Sequence, residues 1–181
     1  MKLLITSDIH GDLESAKRLV EIFDKEKCDK MLILGDILYF GPRNKLTENY
    51  NPQGVIKLLN ERKDVILAVR GNCDAEVDQM VLDFPIMADY CYLSLDGLEI
   101  LATHGHKYNL EALPPLRKGE ILLHGHTHVL KCEMFGNNNC YLNPGSPTYP
   151  KEGNPPSYMI YENRCFRINT IPGDLITEKQ F

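Results

Sequence analysis

The stretch Leu122-Leu123-His124-Gly125-His126-Thr127-His128 sets two imidazoles two residues apart, directly after an apolar run. In an extended segment, side chains at i and i+2 point the same way, about 6.5 to 7 Å apart along the chain. His126 and His128 are therefore expected to reach toward one small volume. Two divalent ions in a hydrolytic centre stand roughly 3.5 to 4 Å apart, so neighbouring ions could each take one imidazole. A zinc finger calls for a different spacing.

Ligands of the same kind recur along the chain, in Asp8-Ile9-His10, Gly35-Asp36, Gly71-Asn72-Cys73-Asp74 and His104-Gly105-His106. Each follows an apolar run read as a strand, at the carboxyl end where open α/β sheets bind their ligands. All 6 histidines of the chain, counting His106 and His124, fall in such positions. Each motif alone has a plain structural reading. Asp8 and Gly11 suit a turn that opens a helix, Gly35-Asp36 a step from strand to loop, and Gly71-Asn72 a turn, because both residues tolerate positive φ. Scattered turn residues do not produce all of them in this order. Mixed carboxylate and imidazole ligands suit manganese, iron, zinc, cobalt or nickel, and without cysteine ligands a structural zinc is disfavoured.

The elements that must position these residues follow from periodicity. Residues 2–6, 31–34 and 65–69 read as buried strands, and 12–27 as a helix with Leu13, Ala16, Leu19, Val20, Ile22 and Phe23 on one face. Asn51 as N-cap and Pro52 at the first helical position open a second helix to about residue 62. Residues 37–51 form a polar loop, and 75–82 a short helix. This order predicts parallel pairing. Thereafter hairpins dominate: 90–95 with 98–103 around Asp96-Gly97, 129–135 with 140–142 around Gly136-Asn137-Asn138-Asn139, and 158–161 with 165–171. Residues 120–123 make a further strand, and 143–156 a Pro- and Gly-rich loop.

With 181 residues and 43% hydrophobic content, the chain is expected to form one domain over residues 1–181. A net charge of −5 argues against a non-specific nucleic-acid binder, which needs a basic face. No apolar run is long enough for a signal peptide or membrane span. The 6 cysteines are scattered, with no Cys-x-x-Cys pair, so reduced thiols in a cytoplasmic protein are expected.

These motifs, with Gly41-Pro42-Arg43-Asn44 and Asn143-Pro144-Gly145-Ser146, resemble the calcineurin-like metallophosphoesterase superfamily. Within it they are most similar to the small bacterial and archaeal phosphodiesterases. The resemblance implies a four-layer α/β/β/α sandwich of two mixed sheets flanked by helices, with two divalent metals at one end. By motif matching it implies that Asp8, His10, Asp36 and His128 hold one ion, and that Asp36, Asn72, His104 and His126 hold the other. Asp36 is then the bridge, and Asp36 and Asn72 are the catalytic residues. It favours manganese, with nickel, zinc, iron, cobalt or magnesium as alternatives, and suggests a homodimer or higher oligomer. The implied reaction is attack on a small phosphodiester by a hydroxide bridging the metals. Two other readings stand beside it. One is a phosphomonoesterase acting on nucleotides or phosphoproteins. The other is a non-catalytic interaction scaffold, since the fold also appears in a subunit of the eukaryotic retromer coat.

One position departs from the family. Many members carry histidine after the motif's asparagine, as donor to the leaving group, where this chain has Cys73. Cys73, Asp74, His106 and Arg43 are expected around the substrate pocket. The weak donor predicts better turnover of diesters with good leaving groups than of alkyl monoesters.

Overall fold

The computed structural model describes residues 1–181. Its first half runs β1 (Leu3–Thr6), α1 (Leu13–Glu26), β2 (Lys30–Ile33), α2 (Pro52–Asn60), β3 (Ile66–Ala68) and the single turn α3 (Glu76–Gln79). The three strands pair in parallel in the order expected of alternating strands and helices. Both long helices begin at side-chain caps. Asp12 accepts from the Ser15 amide at 2.8 Å, and Asn51 from that of Gly54 at 2.9 Å with Pro52 following. In α1 the buried positions are Ala16, Leu19, Val20 and Phe23, a stripe of helical period.

The second half is strand-rich: β4 (Tyr90–Leu95), β5 (Leu98–Thr103), β6 (Ile121–Leu123), β7 (Lys131–Phe135), β8 (Asn139–Asn143), β9 (Ser157–Glu162), β10 (Cys165–Thr170) and β11 (Leu175–Gln180). The β4–β5 turn takes positive φ at both Asp96 (50°) and Gly97 (79°), as a two-residue hairpin requires. Strands lie in the orders β11-β10-β9-β1-β2-β3 and β4-β5-β6-β8-β7. Each sheet mixes parallel and antiparallel pairs. Because β9 returns antiparallel to β1, strands from both halves of the chain share one sheet. β11 was not expected from the sequence. It is an edge strand, largely exposed, and its Glu178 and Lys179 blunt the edge without leaving a hydrophobic pattern to read.

Period-two alternation divides the six-stranded sheet into two faces. Leu4, Met31, Ile33 and Ile160 pack under α1 and α2, while Leu3, Ile5, Leu32 and Met159 meet Ile100, Ile121, Leu123 and Leu142 of the other sheet. Burying each such side chain contributes about 1.5–3 kcal/mol. The layering is the α/β/β/α arrangement with one difference. Over the five-stranded sheet, Leu101, Leu122 and Tyr141 are covered by Leu110 and Leu116 from residues 104–120, which form no helix. Gly105, Pro114, Pro115 and Gly119 interrupt that segment, and it has no stripe of helical period. No helix is long and apolar enough to cross a membrane, and all six cysteines are free thiols.

Candidate metal centre

Strands β1, β2, β3, β5 and β6 deliver Asp8, Asp36, Asn72, His104 and the His126/His128 pair to one place. The loops are stitched by backbone: Asp8 N–H donates to the Gly35 carbonyl (3.1 Å), His10 N–H to Asp36 (2.9 Å) and Gly125 N–H to His104 (2.9 Å). Five of these residues sit in the left-handed region, Asp8 at φ 58°, His10 at 53°, Asp36 at 54°, His126 at 64° and His128 at 60°. Each such conformation costs about 1–3 kcal/mol unless its surroundings impose it. This corrects the extended geometry expected for His126 and His128. β6 ends at Leu123, and each ring is aimed by its own left-handed turn.

The side chains meet as two groups of acceptors. His10 Nδ1–H donates to the Tyr39 carbonyl and His128 Nδ1–H to that of Tyr149, both at 2.7 Å. Neutral rings then leave both Nε2 atoms as lone pairs, yet these lie 3.3 Å apart. Asp8 Oδ1, which has no hydrogen-bond partner, lies 3.2 Å from the Nε2 of His128 and 3.7 Å from that of His10. In the second group, His104 Nδ1–H donates to the Leu34 carbonyl at 2.6 Å. Its Nε2 faces Asn72 Oδ1 and His126 Nδ1, each at 3.1 Å. Asp36 Oδ2 stands between the groups, 3.8 Å from His10 Nε2 and 3.5 Å from His104 Nε2. With neutral rings these acceptors converge without donors, an arrangement that suits a cation, so these residues fit metal ions by their own geometry.

The buried charges shift one another. Burial alone would raise Asp8, but the neighbouring His104, His128 and His10 hold its carboxyl well below the usual range. Burial pulls His104 down, and is outweighed by the hydrogen bond with Asp36 and the charges of Asp8 and Asp36, which lift it to about 9. Burial, with His104 beside it, lowers His126 to about 4.

Of the four residues expected around the substrate, two line the cleft of about 270 Å³ over this centre: exposed Arg43 and half-buried Cys73. Burial, then the Asp36 carboxylate, push the Cys73 thiol up, so it stays neutral. Asp74 is a correction. It lies beneath the cleft, 2% exposed, and accepts from the amides of Asp36 (2.8 Å), Ile37 (2.9 Å) and Gly71 (2.7 Å). Burial raises its pKa and those amides pull it back, so that it braces two ligand loops rather than touching substrate. His106 lies tilted beside His104 and His126 but is not part of the cleft wall.

Sequence reasoning missed Asn44 and Lys151, which also line the cleft. It also missed Ser146, whose hydroxyl donates to the Asp8 carbonyl at 2.9 Å and accepts from the amides of Thr148 and Tyr149. The run Asn143-Pro144-Gly145-Ser146-Pro147 signals a defined turn, but nothing local says what the turn holds.

Gly71 shows how tightly the loops are packed. A Cβ there would stand 2.0 Å from Asp36 Oδ1 and 2.4 Å from the Asp36 amide nitrogen. Gly71→Ala is therefore expected to displace Asp36, destabilising the protein by about 1–3 kcal/mol and weakening metal uptake. Thermal melts and metal analysis check both effects, and an alanine variant with wild-type metal content would refute the packing argument.

Comparison with known proteins agrees with this geometry. The calcineurin-like phosphoesterase superfamily domain matches residues 1–164. Phosphodiesterase YfcE of Escherichia coli (strain K12) is 45% identical over 168 residues, 93% of this chain and 91% of its own. The solved structure of that E. coli phosphoesterase superposes with a TM-score of 0.95 at 42% identity, covering 99% of this chain and 98% of the other. Phosphodiesterase MJ0936 of Methanocaldococcus jannaschii is 26% identical over 80% of this chain and 83% of its own. Vps29 of Entamoeba histolytica, solved with zinc, shares the fold at TM-score 0.60 and 20% identity, over 99% of this chain and 98% of its own. Ligand groups at the ends of parallel strands, the two-sheet frame and the match over residues 1–164 lead to one conclusion: this chain belongs to the calcineurin-like phosphoesterase superfamily.

Proposed function

We propose that this chain is a metal-dependent phosphodiesterase acting as one unit over residues 1–181. Asp8, His10, Asp36 and His128 would hold one divalent ion, and Asp36, Asn72, His104 and His126 a second. The observation that carries this reading is the pair of converging carboxylate and imidazole groups with Asp36 Oδ2 between them. Manganese is the ion we place first, with nickel, zinc, iron, cobalt and magnesium as alternatives, and the cytoplasm is the compartment that suits six free thiols. When bound, such ions supply an activated water and neutralise charge on the phosphoryl oxygens.

The chain's own residues do the positioning. The Cys73 amide donates to Asp36 Oδ1 at 2.8 Å, which fixes the direction of Oδ2. Exposed Asn72 presents its amide to the cleft, where Nδ2 can donate to a phosphoryl oxygen. Arg43 and Lys151 place two cations over the same volume, which suits an anionic phosphodiester.

The test is hydrolysis of bis-p-nitrophenyl phosphate by chelator-stripped protein, with manganese, nickel, zinc or magnesium added back and p-nitrophenyl phosphate run alongside. Activity is expected only with metal, and faster on the diester. Faster monoester turnover would assign the phosphatase reading, and loaded protein inert on both would assign the scaffold.

A further inference from the structure

The turn over residues 143–149 reaches the first group of ligands from the far end of the chain. Gly145 bends it at a φ of 76°, where a Cβ would stand 2.3 Å from Ser157 Oγ, and the Ser157 hydroxyl ties it down through the Pro144 carbonyl at 2.7 Å. Ser146 is thereby buried, 0% exposed, with the whole hydrogen-bonding capacity of its hydroxyl in use. Its O–H donates to the Asp8 carbonyl (2.9 Å), and its two lone pairs accept from the amides of Thr148 (3.2 Å) and Tyr149 (2.9 Å).

Tyr149 carries the link onward. Its N–H is held by Ser146, and its carbonyl accepts from His128 Nδ1–H at 2.7 Å. That bond fixes the tautomer and direction of the ring, whose Nε2 stands 3.2 Å from Asp8 Oδ1. The path is closed, running from the Asp8 carbonyl through Ser146, Tyr149 and His128 back to the Asp8 carboxylate. The two ligands on it, Asp8 at φ 58° and His128 at φ 60°, both hold left-handed conformations that persist only where their surroundings impose them. The second group is anchored elsewhere. His104 Nδ1–H donates to the Leu34 carbonyl at 2.6 Å, and no bond of the Ser146 hydroxyl runs to His104, Asn72 or Asp36.

We infer that Ser146 is a positioning residue for the first ion: it sets the gap between His128 Nε2 and Asp8 Oδ1 and takes no part in holding the second ion. The affinities of the two ions then depend on different parts of the chain. This inference rests on the two-ion reading and adds the residue that makes one ion separable from the other.

The test is a zinc titration of the chelator-stripped full chain labelled with ¹⁵N at histidine, with the ring nitrogens of His128 reporting the first ion and those of His104 the second. In Ser146→Ala, His128 is expected to need about tenfold to a hundredfold more zinc than in the wild type, the usual cost of losing an outer partner of a ligand, while His104 responds at the wild-type concentration. Thr148→Ala is the matched control. It deletes another hydroxyl of the same turn, one that donates to the Ile9 carbonyl at 2.8 Å and stands outside the closed path, and both rings should respond as in the wild type. A hydroxyl that only holds the turn in place predicts equal losses in the two variants, or an equal loss at both ions, and either result would overturn the role of Ser146. The wild type gives a measurement that needs no substitution: zinc should slow hydrogen exchange severalfold at the Thr148 and Tyr149 amides, which end on Ser146, and unchanged exchange there would also overturn it. Wild-type titration of both rings with an unaltered Ser146→Ala would remove Ser146 and leave the two ions standing. Wild-type protein in which neither ring responds to zinc would overturn both.

Discussion

Asp36→Asn is expected to lower metal-dependent kcat/KM on bis-p-nitrophenyl phosphate by about 10³-fold or more, without destabilising the chelator-stripped protein. The two carboxylate oxygens do different work. Oδ1 accepts from the Cys73 amide at 2.8 Å, and an asparagine carbonyl can take over that bond. Oδ2 faces His10 Nε2 at 3.8 Å and His104 Nε2 at 3.5 Å, and there the substitution sets an amide NH₂, with neither a free lone pair nor a charge. The shared ligand of the two acceptor groups is lost while the loop keeps its shape. A lost metal-ion contribution of about 4 kcal/mol corresponds to about 10³ in rate. Kinetics with metal analysis on the same samples checks this. Full metal content with more than a tenth of the wild-type rate would overturn the proposed bridging role of Asp36.

How much of this was legible beforehand depends on the range of the interactions involved. β1 and β2 are short runs buried on both faces, so their hydrophobicity is visible without any knowledge of partners, and β3, at the sheet edge with Leu67 exposed, is apolar enough to be read the same way. The caps Asp12 and Asn51 are equally local, as is the Asp96-Gly97 turn. That these carboxylate, amide and imidazole side chains gather in one place could be read because each follows a strand end. What stayed hidden is set by contacts across the chain. The left-handed conformations of Asp8, His10, Asp36, His126 and His128 leave no mark in composition, since aspartate and histidine are ordinary residues elsewhere. Lys151 reaches the cleft because its backbone amide is tied to the His128 carbonyl at 3.1 Å, a bond between loops that spacing cannot reveal. The irregular cover of the five-stranded sheet is local again: Pro114-Pro115 keeps residues 104–120 out of a helix.

Asp74 is where the gap between sequence and structure has the largest consequence for stability. Asp74→Ala is expected to destabilise the protein by about 3–5 kcal/mol and to impair metal binding with it. The carboxylate is the acceptor for three amides, those of Asp36, Ile37 and Gly71, in a place 2% exposed to solvent. Alanine leaves those donors without partners, at about 1–3 kcal/mol for each that stays buried and unpaired. The same bonds hold Asp36 at a φ of 54°, so releasing them lets the loop relax away from the geometry its carboxylate needs. Asp74→Asn separates this from a substrate contact. Its one carbonyl oxygen can replace Oδ2, which serves Asp36 and Gly71, and only the Ile37 amide is then lost. A brace therefore predicts the order wild type, Asn, Ala in urea-unfolding stability and in metal affinity alike. A residue touching substrate predicts wild-type unfolding in both variants with a raised KM, and that result would return Asp74 to the pocket.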